Sequence, residues 1–120
     1  MKHCIIVKFN PNISMKMENS FINQIKELFD DCLEIEGIHD VKVFRSCTNL
    51  DNRADIMIQI DMEKSALEAY DKSDAHLMWK TEYSRFIATK TVFDYDDTKP
   101  ANPKHSKTQT PQKNQNEDDL

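Results

Sequence analysis

Glycine is almost missing from this chain: among 120 residues, Gly37 is the single one. A phosphate-cradling loop needs several glycines, so nucleotide sites of that kind are excluded. Cysteine is scarce and odd in number: Cys4, Cys32 and Cys47, with no C-x-x-C pair. That reads as free thiols in a reducing cytoplasm rather than a disulfide scaffold. A basic surplus is also lacking. The net charge of −5 gives nothing to track a nucleic-acid backbone or to hold an anionic membrane surface. The apolar runs are too short to span a bilayer, and the N-terminus enters a strand-like stretch at His3 instead of a leader. A cytoplasmic protein is expected, with no nucleic-acid or membrane partner, and nothing in the sequence calls for a cofactor.

What is present fits one domain followed by a tail. Composition changes after Asp96: residues 97–120 hold Pro100, Pro103 and Pro111, balanced lysines and acids, and almost nothing apolar before Leu120. Such a segment cannot bury enough surface to offset its ordering entropy and is read as a disordered polar tail. Its end, Glu117-Asp-Asp-Leu120, is either a short recognition signal or a solvated terminus. Residues 1–96 are long enough for a modest core, and association with a partner would add burial.

Within 1–96 the periodicities alternate. His3 to Phe9 is a short β-branched run stopped by Asn10-Pro11, with His3, Ile5, Val7 and Phe9 on one face. Phe21, Ile25, Leu28, Phe29, Cys32 and Leu33 then recur at helical spacing, and Gly37 is placed to end that helix in a left-handed conformation. Val41, Val43 and Phe44 mark a second strand. Ala54, Ile56, Ile58, Ile60 and Met62 alternate with polar residues in a third. A helix from about Glu63 to Tyr70 follows, and Ser73 or Asp74 caps another running to about Phe86. Thr89–Tyr95 is the last strand. Met15, Met17, Met57, Met62 and Met78 are read as core filler.

The order β-α-β-β-α-β is that of a ferredoxin-like α+β sandwich, one antiparallel four-stranded sheet with helices on one face. The opposite face would carry Cys4, Ile6, Met57 and Val92. A partly apolar, uncovered face of this kind invites a second copy related by a two-fold axis, giving a homodimeric α+β barrel.

Four segments stand out in order along the chain: Lys2-His-Cys-Ile-Ile-Val-Lys-Phe9, Ile35-Glu-Gly-Ile38, Leu67-Glu-Ala-Tyr-Asp-Lys-Ser-Asp-Ala-His76 and Val92-Phe-Asp-Tyr95. They resemble, in turn, the first strand, the I-P-G-V turn, the Y-x-x-H-P-x-H segment and the closing strand of a known family, the stress-responsive A/B barrel proteins. The resemblance covers roughly residues 1–96 and implies a homodimeric barrel of two ferredoxin-like sheets. Some relatives, the olivetolic acid cyclases, are aldol-type polyketide cyclases similar in these motifs. The resemblance then implies catalytic roles for His3, Tyr70 and His76. The chain departs from the pattern in two places: Ser73-Asp74 stands where the motif has His-Pro, and no tyrosine lies on the first helix.

The residues themselves lead to the same three positions. With Ser73 or Asp74 as cap, His76 falls in the first turn of a helix, whose positive end disfavours the imidazolium. A neutral imidazole accepts a proton, as a general base must, and Tyr70 is placed to donate to an oxygen gaining charge. His3 lies on the strand face assigned to the helices. A pocket between sheet and helices would hold His3, Tyr70 and His76, walled by Ile5, Val7, Ile58, Trp79 and Phe86, and would suit a small apolar or aromatic ligand. Three readings stay open: a ligand-binding protein without turnover, a cofactor-free cyclase, isomerase or monooxygenase-like enzyme, and a structural dimer with a partner-binding tail. No H-x-x-x-H or Cys–His spacing supports a metal. Cys4 lies on the strand face opposite His3, away from any base. His39 and His105 are read as exposed bystanders, and Asp55, Asp61, Asp94 and Asp96 as strand-edge or solvated charges.

Overall fold

Isoleucine-rich alternation sets the centre of the sheet. In the computed structural model, which describes residues 1–101, strands β1 (Lys2–Phe9) and β3 (Ile56–Met62) lie side by side. The edge strands β2 (Ile38–Arg45) and β4 (Ile87–Tyr95) flank them in the order β2-β3-β1-β4. Every pairing is antiparallel. Ile56, Ile58, Ile60 and Met62 are buried in strict alternation with partly exposed neighbours, because each second side chain meets the helices. Proline stops β1: Asn10 precedes Pro11, and its backbone N–H and side-chain amide bond the Phe86 and Arg85 carbonyls at 2.9 and 2.8 Å.

Helix α1 (Met15–Asp30) begins where the Ser14 side chain accepts the Met17 N–H at 3.2 Å, with Glu18 in its first turn. Its buried face presents Ile25 and Phe29 to the sheet. A 3₁₀ turn, Asp31–Glu34, ends the helix before Gly37 is reached; it buries Cys32 but leaves Leu33 largely exposed. Gly37, expected as the helix stop, serves the turn into β2. Its φ is +92°, and a Cβ there would lie 3.1 Å from that of Ala66, so both conformation and close approach require glycine.

The second helical region is shorter than its periodicity suggests. A 3₁₀ turn, Lys64–Ala66, leads into α2 (Leu67–Asp71). Ser73 then caps α3 (Asp74–Glu82), and another 3₁₀ turn, Ser84–Phe86, delivers the chain to β4. The core lies between the sheet and these helices and is centred on Ile58, Ile60, Phe29, Tyr70 and Trp79. The fold class is thus the expected ferredoxin-like α+β arrangement, four antiparallel strands with the helices on one face.

Strand register corrects one assignment. Val92 pairs with Ile5, which faces the helices, so Val92 belongs to the helix side; Phe93, opposite Cys4, takes its place on the open face. That face carries Cys4, Ile6, Phe44, Met57 and Phe93, with Phe44 and Phe93 45 % and 58 % exposed. Cys4 is nonetheless buried, between Gln59 and Phe93 on the flanking strands. The methionines divide as well: Met62 is core, whereas Met15, Met17 and Met78 are exposed because they fall on the outer sides of α1 and α3. The expectation for the tail falls mainly on residues 102–120, outside the described residues, as does His105.

Candidate functional site

The end of the helical layer formed by α2 and α3 does not close fully on the sheet. A cavity of about 260 Å³ remains, lined by His3 and Ile5 of β1, Tyr70 of α2, His76 and Trp79 of α3, and Lys90 and Val92 of β4. Leu67 and Asp71 complete its rim. The stop between α2 and α3 creates this geometry. Ser73 donates its hydroxyl to the Tyr70 carbonyl at 2.7 Å and accepts the His76 N–H at 3.2 Å, so the break holds the two side chains against each other.

Tyr70 is the centre of the cluster. Its ring lies 4.8 Å from that of His76 and 5.2 Å, edge-on, from that of His3. The residue is wholly buried, and its hydroxyl has no hydrogen-bond partner in the protein among the described residues. A buried hydroxyl without a partner costs about 1–3 kcal/mol, so a native structure retains one where something other than protein satisfies it. Burial pushes this phenol far above its ordinary value, and the charges of Cys32, Asp71 and Asp94 add to the effect. Tyr70 therefore remains a donor at any physiological pH.

Both histidines are fixed by their Nδ1 atoms. His3 Nδ1 lies 2.5 Å from the Asp94 carboxylate, and His76 Nδ1 lies 3.0 Å from the Asp71 carbonyl oxygen. Neither partner has a proton to give, so each Nδ1 carries one; in the neutral ring the lone pair is then on Nε2. Asp94, expected as a strand-edge or solvated charge, lies on the edge strand β4 and is the positioning group for His3. Two-residue alternation from Val92 to Asp94 puts it on the helix side, but only the β1–β4 register, His3 opposite Asp94, brings the pair together. Asp55 likewise has a structural duty, accepting the Phe9 N–H at 2.8 Å.

Of the side chains expected as walls, Ile5 and Trp79 line the cavity. Val7 and Ile58 do not: both are wholly buried deeper in the core. Phe86 lies at the opposite end of the layer, its ring 4.7 Å from Phe21. Lys90, Val92, Leu67 and Asp71 went unrecognised as lining residues, since sequence periodicity does not reveal which edge-strand positions face a gap. His39 is exposed and paired with Glu63 at 2.8 Å. Among the described residues no group of acidic, histidine and cysteine side chains is arranged to hold a metal, the three cysteines are free thiols, and no helix is long and apolar enough to cross a membrane.

Burial also sets an alkaline limit. The Cys32 thiol is pushed up to about 11 from 9.0, chiefly by burial and then by Asp31 and Asp30. Cys32 and Tyr70 both hold their protons more tightly folded than unfolded. The contribution of Cys32 is complete below about pH 9 and is lost as pH rises towards about 11, whereas that of Tyr70 begins to be lost only above about pH 10. Denaturant titrations across this interval should show stability falling in the wild type and falling later in Cys32→Ala.

No model of a protein family and no curated protein matches the chain. Solved structures do. A dimeric protein of unknown function and ferredoxin-like fold from Bacteroides fragilis superposes with a TM-score of 0.66 at 15% identity, covering 79% of this chain and 93% of its own. A Dabb family protein with a ferredoxin-like fold from Mesorhizobium loti gives 0.61 at 14% identity over 79% and 93%. The hydroxynitrile lyase of Passiflora edulis gives 0.62 at 14% identity over 82% and 95%. The chain shares its fold with each.

Proposed function

We propose that this chain is a stress-responsive A/B barrel protein that acts as a homodimer and holds a small apolar or aromatic molecule between its sheet and helices. The observation that carries this reading is the Tyr70 hydroxyl, buried and unpartnered beside a cavity that His3 and His76 also line. Ile5, Val92 and Trp79 supply apolar walls, and a few convergent polar groups set orientation, the usual make-up of a small-molecule site. The phenol donates to a carbonyl or hydroxyl oxygen of the ligand. The open sheet face supports the dimer: Phe44 and Phe93 leave an apolar surface that a second sheet would cover. Sedimentation at micromolar concentration should give the mass of two copies; a monomer would contradict the barrel.

A second reading is favoured by the histidine tautomers. With Nδ1–H committed to the Asp71 carbonyl, the neutral His76 ring presents a basic Nε2. A ligand bearing a C–H acidified by a neighbouring carbonyl would give that proton to Nε2 while Tyr70 stabilises the oxygen gaining charge. This is acid–base chemistry of the cyclase, isomerase or lyase kind and needs no cofactor in the step.

The test is a panel of phenolic and polyketide-like compounds incubated with wild type and His76→Ala, with binding followed by calorimetry and conversion by chromatography. Binding to both proteins without conversion supports the binder. Conversion that falls about a hundredfold or more in His76→Ala supports the enzyme. A wild-type protein that binds none of them contradicts the site.

A further inference from the structure

One wall of the cavity is of the wrong chemistry for packing. On the helix-facing side of the central strands the row is apolar apart from His3: Ile5, Val7 and Phe9 on β1, and Ile56, Ile58, Ile60 and Met62 on β3. On β4 the same side carries Lys90, opposite Val7 in register. Lys90 lines the Tyr70 cavity and also a second hollow of about 240 Å³, walled by Trp79, Lys80, Ser84 and Ile87. The two hollows thus share Trp79 and Lys90 as common walls. Among the described residues no carboxylate lies within ion-pair distance of Lys90 or Lys80, nor of Lys8, Lys16, Lys64 or Lys99; what sets Lys90 apart is its place on the helix-facing side of β4, in the wall of both hollows. Nearby acids do not compensate: Asp94 is taken by His3, and Asp71 borders the first cavity from α2.

We propose that the ligand of this site is an anion, an aromatic or apolar molecule ending in a carboxylate, held by Lys90 with its body along Trp79 and a neutral oxygen at Tyr70. The inference rests on the small-molecule reading above and adds the charge and direction of the ligand. Asp71 repels the carboxylate from the α2 end, and Lys90 attracts it at the β4 end. The unpartnered Tyr70 hydroxyl is the independent sign that the cavity receives a polar group. Because Lys90 is exposed, its ion pair is worth no more than about 1 kcal/mol, about fivefold in affinity, and is weakened by salt.

Trp79 is the single tryptophan of the chain, so its fluorescence reports directly on the shared wall. The probes are 3-(4-hydroxyphenyl)propionate and its neutral primary amide, titrated into wild type, Lys90→Met, Lys90→Arg and Tyr70→Phe. Wild type should prefer the acid about fivefold, less at high salt. Lys90→Met should abolish the preference and Lys90→Arg keep it, while Tyr70→Phe weakens both probes and leaves their ratio unchanged. Equal binding of acid and amide by wild type, or a preference surviving in Lys90→Met, would overturn the anionic assignment while leaving the pocket in place. Failure of both probes to perturb Trp79 in any variant would overturn the pocket and the assignment together. Thermal melts of Lys90→Met, an exposed edge-strand change, check that its fold is intact.

Discussion

Replacing Tyr70 by phenylalanine should leave the protein at least as stable as wild type, by up to about 1 kcal/mol more, and should weaken ligand binding about tenfold. Removing a buried tyrosine hydroxyl ordinarily costs stability, because its hydrogen bond is lost. Here the hydroxyl has no partner in the protein among the described residues, so its deletion breaks no internal bond and removes a desolvated group. The ring, packed between His3 and His76, keeps its place. The two signs are what make the substitution informative: a core hydroxyl kept for the fold would lower stability when removed and leave binding untouched. Urea unfolding and Trp79 fluorescence titration on one pair of proteins measure both.

Truncating Trp79 to alanine should cost about 3–5 kcal/mol, a large share of the about 5–15 kcal/mol that holds a domain of this size folded. Trp79 is 2 % exposed. Its ring meets Phe29 edge-on at 5.4 Å and stacks on Tyr83 at 5.7 Å, joining α3 to α1 and to the turn before β4. The same indole lines both hollows, so its loss removes a core contact and a shared wall together. Denaturant unfolding followed by far-ultraviolet circular dichroism measures the cost without relying on the deleted fluorophore. A loss below about 1 kcal/mol would show that α3 is not anchored through this ring.

How much of this was legible before the structure differs by element. The central strands were, because period-two alternation of isoleucines against polar residues has one physical solution, a half-buried strand. The break between Tyr70 and His76 was also legible, since Ser73 is a strong N-cap and sits where the helix must restart. The facing of Val92 is the misreading, because β4 is an edge strand of mixed residues whose facing is set by its register with β1, not by its own pattern. Asp94 is the strand-edge charge expected, but its pairing with His3 is visible only in that register. Lys90 escaped notice for the same reason. The left-handed conformation of Gly37 is legible but its role is not: it is expected as the stop of the first helix, which ends earlier, and its turn into β2 and close approach to Ala66 are tertiary facts that local sequence does not carry. Val7, Ile58 and Phe86 are apolar and on the right layer, but Val7 and Ile58 are separated from the pocket by depth and Phe86 by its position at the other end of the layer.

Nuclear magnetic resonance on protein labelled at tyrosine and histidine puts the central claim to its most direct test. The chain has three tyrosines and four histidines, so individual assignment is practical. Titrating a phenolic compound should shift the Tyr70, His3 and His76 signals along one curve with a common midpoint, while Tyr95 and His39 stay still. A ligand that moves those remote rings and leaves the Tyr70 cluster unchanged would contradict a shared site.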